Sequence, residues 1–130
     1  MKANITKREA IVAINRVLGL NLSNSSTHFA HVNSSKQVWW FDIPVEKFTS
    51  GQYSTLDLLL VTADSTLLHH IEVPVSYIRD NLSDFYVRDD KASVSLELSS
   101  RASNLFQDMR PRSNKRPFVQ FLLRSLDLST

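Results

Sequence analysis

A chain of 130 residues, 42% apolar and 22% charged, falls in the size and composition range of one globular domain that can bury its core without a metal or disulfide. It has no cysteine and only two glycines, Gly19 and Gly51, far apart. That excludes disulfide scaffolds, thiol nucleophiles, thiolate metal sites, P-loops and dinucleotide fingerprints. The net charge of +2 is unevenly spread: residues 1–41 carry +4, residues 42–97 carry −6 and residues 98–130 carry +4. Either the basic ends converge on one positive face, or the charges neutralise one another across the fold.

The start, Met1-Lys2-Ala3-Asn4-Ile5-Thr6-Lys7-Arg8-Glu9, is charged with no apolar signal region behind it, and no apolar stretch approaches the length of a bilayer span. A single domain over residues 1–130, cytoplasmic and without a membrane partner, is expected. Thr6 and Glu9 have the spacing of a capping box. Ala10, Ile11, Ile14, Val17 and Leu18 then recur at helical spacing up to Gly19, which predicts a helix over 6–18. Residues 21–27 read as a polar loop.

Residues 28–32 and 37–43 read as a hairpin around Asn33-Ser34-Ser35-Lys36, ended by Pro44. Residues 45–50 form a connection with room for one helical turn. Residues 56–62 and 67–73 form a second hairpin. Its first strand, apolar on both faces at Leu58, Leu59, Leu60 and Val61, belongs in the centre of a sheet. Pro74 suits the first turn of a middle helix carrying Val75, Ile78 and Leu82. Residues 85–88 and 93–98 form a third hairpin, with Val94, Leu96 and Leu98 inward. Residues 102–109 are short helix or irregular. Phe118, Phe121, Leu122 and Leu126 have the spacing of an amphipathic C-terminal helix. The sum is an α+β fold: a largely antiparallel sheet of about six strands, with N-terminal, middle and C-terminal helices packed on it.

Trp39 and Trp40 are adjacent on a strand, so they point to opposite faces. Trp39 shares its face with Phe41 and Ile43, which leaves Trp40 as the outward ring unless helices cover both faces. An exposed indole can stack a nucleobase or anchor a protein interface. The loop 110–117 carries Arg110, Arg112, Lys115 and Arg116 between prolines, a cluster able to neutralise phosphates or simply to balance charge in solvent. His69 falls on the apolar face of its strand and His70 on the other, two residues from Glu72, the one histidine–carboxylate pair that strand geometry brings together. His28 and His31 diverge on a strand.

No Gly-x-Ser-x-Gly elbow occurs, and Asp42-Ile43-Pro44-Val45-Glu46-Lys47 has the wrong spacing for a restriction-type nuclease site. No catalytic residue, metal ligand or cofactor is therefore expected. The reading is a non-enzymatic binding module with nucleic acid as the leading ligand, held by Arg110, Arg112, Lys115 and Arg116 with Trp40 stacking. The alternative is a protein-interaction or self-assembly module, and a small enzyme comes third.

Overall fold

A computed structural model describes residues 5–129; the charged start at residues 1–4 and Thr130 lie outside the described residues. Helix α1 (Lys7–Leu18) begins with the full capping box. The Thr6 hydroxyl accepts the Glu9 N–H at 3.1 Å, and the Glu9 carboxylate accepts the Thr6 N–H at 2.9 Å. Gly19 ends the helix in the left-handed region at φ +64°. Strands β1 (Thr27–Asn33) and β2 (Val38–Pro44) form the first hairpin, and the connection holds the one-turn helix α2 (Glu46–Thr49). The second hairpin is β3 (Thr55–Val61) and β4 (Leu67–Pro74), followed by α3 (Val75–Arg79). The third is β5 (Tyr86–Arg88) and β6 (Ser93–Ser99).

Among the described residues, seven strands make one sheet in the order β5-β6-β2-β1-β3-β4-β7, where β7 is Leu122–Asp127. The fold is α+β, and the sheet is mixed rather than purely antiparallel. β1 gives one edge to β2, and β3 takes the other, arriving after the link through α2 and running parallel to β1. β3 is central and buried on both faces, as its unbroken apolar run predicts.

The C-terminal segment departs from the predicted helix. One 3-10 turn (Val119–Phe121) leads into β7, which pairs with β4. β4 would otherwise present an open edge of unpaired N–H and C=O groups, and residues 122–127 satisfy it. The four-residue spacing of Leu122 and Leu126 reads as helical, yet it has another cause. His70 pairs with Arg124 and Ile71 with Leu122, so Leu123 is an extra, bulged residue. The bulge turns Leu122 to one face of the sheet and Leu126 to the other, where each joins a different core.

Those two cores hold the layers together. Under α1, Ala10 and Ile14 pack on Leu59, Val61 and Leu68. On the opposite face Trp39, Phe41, Leu58, Leu60 and Leu96 meet Phe48 of α2, Ile78 of α3 and the loop aromatics Phe106 and Phe118. Tyr77, Phe85, Phe118 and Phe121 close this larger core with edge-to-face ring contacts at centroid distances from 4.7 to 6.4 Å.

With so few glycines, left-handed backbone falls on ordinary residues. Each hairpin turn contains one: Gln37 (φ 56°), Ser65 (φ 58°) and Ala92 (φ 48°). Such positions cost an L-residue about 1–2 kcal/mol, whereas glycine adopts them freely. Ala92 is exposed, so replacing it removes no core contact. Ala92→Gly is expected to stabilise the protein by about 0.5–1 kcal/mol in urea unfolding. A loss of stability would show that the turn does not hold this conformation in solution.

Candidate functional site

α1 packs over β3 and β4, and the same face of the sheet continues past it over β2, β6 and β5. There the inward alternation fails. Trp40 opposes Glu97, Asp42 opposes Ser95, and Tyr86 and Arg88 lie beyond on β5, so this half of the face is polar and aromatic. Ser93, Ser95, Glu97 and Ser99 are nevertheless buried, because side chains lie over them rather than a helix.

Trp40 is one of these lids. Its indole N–H donates to the Ser95 hydroxyl at 2.9 Å, which fixes the ring while leaving it 50% exposed. Trp39 points the other way, is fully enclosed, and donates its N–H to the Val61 carbonyl at 2.9 Å. The adjacent pair thus divides between core and surface as the strand alternation requires.

Arg110 is the second lid. After β6 the chain makes a 3-10 turn (Ala102–Asn104), and residues 106–109 return along the edge of β6 beyond β5, with Asp108 opposite Leu98. Asp108 anchors the return: its Oδ1 accepts the N–H groups of Glu97 and Arg110, each at 3.1 Å. Arg110 then reaches back over the sheet to donate to Glu97 Oε2 at 2.6 Å, its guanidinium 4.6 Å from the centre of the Tyr86 ring.

Between the β1–β2 turn and this loop lies a groove of about 610 Å³ lined by Lys36, Tyr86, Glu97, Arg101, Arg110 and Arg112. Lys36, Glu97 and Arg110 also line the adjoining hollow that holds Trp40, so groove and indole form one surface. The basic ends of the sequence meet here only in part: Lys36 comes from the first and Arg101, Arg110 and Arg112 from the last, while Lys7, Arg8 and Arg16 lie on α1, away from the groove. Lys36, Arg101 and Arg112 are exposed, while Arg110 is balanced by Glu97.

The other two cations of the loop turn away. Arg116 pairs with Asp84 at 2.6 Å, donates to Asn81 and stacks on Tyr77. Arg116 and Asn114 together hold the Asp84 carboxyl below the usual range. Lys115 folds back onto the carbonyls of Met109 and Arg110. Arg101 lies near the basic loop in the sequence, but Lys36 stands alone in a distant turn between uncharged neighbours; only the folding of the loop onto the turn collects them.

The histidines are structural in their geometry. His70 does not meet Glu72, which is exposed; it meets Asp57 on the neighbouring strand, Nε2 to Oδ1 at 2.7 Å. Arg124 lies 2.6 Å from Nδ1. Arginine can only donate, so Nδ1 accepts and Nε2 carries the proton that Asp57 receives. His69 packs on Trp39 and Phe106 and bonds to Ser125 at 2.7 Å. His28 is pushed down to about 4 by burial and by the cations Lys47 and Lys7.

No protein-family model, no curated protein and no solved structure matches this chain. The site is therefore read from its own geometry: a ring offered to solvent and three exposed cations along one concave surface.

Burial pushes the Asp108 carboxyl up to about 6, against the two backbone donors that favour its charged form. A carboxyl raised in the folded state holds its proton there to higher pH than in the unfolded chain. Its contribution to stability is therefore complete at low pH and is lost as pH rises through about 6. Asp108→Asn keeps an acceptor for both N–H groups and removes the buried charge. The variant is expected to melt about 5 °C above the wild type at pH 7.5 and at the same temperature at pH 4, by calorimetry. A lower melting temperature at pH 7.5 would mean that the charge itself secures the loop.

Proposed function

We propose that this chain is a non-enzymatic binding module for single-stranded nucleic acid, with the groove beside Trp40 as its site. The observation that carries the reading is a half-exposed indole, fixed by Ser95, on the same surface as the exposed cations Lys36, Arg101 and Arg112. Stacking on a tryptophan needs an unstacked base, which a duplex does not offer. In this reading Trp40 stacks one base, and Lys36, Arg101 and Arg112 neutralise phosphates of the same strand. Arg110, tied to Glu97 and Tyr86, shapes the groove floor and adds a donor edge. Lys115 and Arg116 serve the loop rather than the ligand.

The test is a fluorescence-anisotropy titration of a labelled pyrimidine oligonucleotide at two ionic strengths. Trp40→Ala is expected to weaken binding about 10-fold. The triple variant Lys36→Ala, Arg101→Ala, Arg112→Ala should flatten the salt dependence, since each phosphate neutralised on a single strand contributes about 0.7 to the slope of log K against log salt. Arg79→Ala, an exposed cation on α3, should change neither. Binding by the triple variant with wild-type strength and slope, or no wild-type binding at low salt, would remove the proposal. The other reading, a module that binds protein or itself, would use the same exposed Trp40 ring as an interface anchor.

A further inference from the structure

The outward face of a surface helix is normally polar. On α1 it carries Val12 and Val17, 47% and 61% exposed, and a partly exposed Ala13 among Arg8, Glu9 and Arg16. These six residues line a shallow depression of about 380 Å³. Residues 9, 12, 13 and 16 follow the i, i+3, i+4, i+7 spacing of a helix-packing stripe, on a side of the helix turned away from Ala10 and Ile14, which face the core.

The stripe is complementary to itself when reversed. About a point midway between residues 12 and 13, Glu9 mirrors Arg16, Val12 mirrors Ala13, and Arg8 mirrors Val17. We infer that this face of α1 docks against a second copy of the same chain, the two helices antiparallel about a two-fold axis between Val12 and Ala13. Such an axis makes every contact twice, as an isologous interface requires. Glu9 meets Arg16 of the partner subunit at both ends. The Glu9 carboxylate accepts the Thr6 N–H of its own capping box and takes Arg16 of the partner subunit as an additional donor, since a carboxylate accepts several. Ala13 keeps the centre shallow, so the helices approach closely over Val12.

A parallel arrangement would set Arg16 against Arg16 and Glu9 against Glu9. The exposed ion pairs therefore select orientation more than they add affinity, and the antiparallel pairing also opposes the two helix dipoles. Six side chains cover less than the roughly 800 Å² per partner of a standard interface, so the dimer is weak, with a dissociation constant of about 10–500 μM.

Sedimentation equilibrium of the full chain without nucleic acid, at concentrations up to about 1 mM, is expected to show a monomer–dimer equilibrium in that range. Arg16→Glu, at an exposed position, should weaken it at least about 10-fold with an unchanged circular dichroism spectrum. The absence of native cysteine allows a geometric check by oxidation of single-cysteine variants. Val12→Cys lies about 1.5 Å along the axis from its symmetry mate and should form a disulfide dimer, whereas Val17→Cys copies stand about 14 Å apart and should not. A wild type that stays monomeric at 1 mM, an Arg16→Glu variant that dimerises like the wild type, or Val17→Cys crosslinking as fast as Val12→Cys overturns the inference.

Discussion

One helix cannot cover this sheet. α1 has twelve residues, a rod about 18 Å long and about 10 Å across, while seven strands spaced about 4.8 Å apart make a sheet about 29 Å wide. The helix shelters β3 and β4, where Leu59, Val61 and Leu68 are apolar on that side. Over β2 and β6 the same face must be polar or be covered from elsewhere, and both solutions are used. Trp40 lies over Ser95, and Arg110 lies over Glu97. The groove is the space left between these side-chain lids and the β1–β2 turn. Its existence follows from the shortage of helix.

The opposite face faces no such shortage. α2, α3 and the aromatic loop residues Phe85, Phe106 and Phe118 cover it from β6 to β4, and its residues are mainly apolar, with His28 and His69 as polar members. The contrast sets the division of labour within the molecule. Stability comes mainly from the fully covered face and from the small core under α1, while the uncovered half of the sheet is free to carry charge and an exposed ring without exposing a core.

Two buried polar contacts tie the last third of the chain to the rest. Arg124 of β7 meets His70, which in turn holds Asp57 of the central strand. Asp108 receives the N–H groups of Glu97 and Arg110 and so fixes the path that carries Arg110 and Arg112 to the groove. Both are buried groups that would cost a great deal if left unpaired. They hold loop and edge strand in one register, and hydrophobic packing alone would not specify either. The position of the cationic rim thus depends on a carboxylate that is itself nowhere on the surface.

Local chemistry alone was enough for the parts of this protein whose signals lie within a few residues. The capping box at Thr6 and Glu9, the three hairpins, the buried character of β3 and the outward turn of Trp40 all follow from neighbours in the chain, because capping and strand alternation act at short range. Distant partners decided the rest. Residues 118–126 have a helical spacing of apolar groups, but the open edge of β4 and a bulge at Leu123 made a 3-10 turn followed by the strand Leu122–Asp127. His70 found Asp57 thirteen residues away instead of Glu72 two residues away, because cross-strand neighbours on a shared face are set by register. Arg116 was claimed by Asp84 and Lys36 was brought to Arg101, choices that no window of sequence contains. Periodicity reports which side of an element is apolar; which element it meets depends on the edges and charges that the folded chain has left to satisfy.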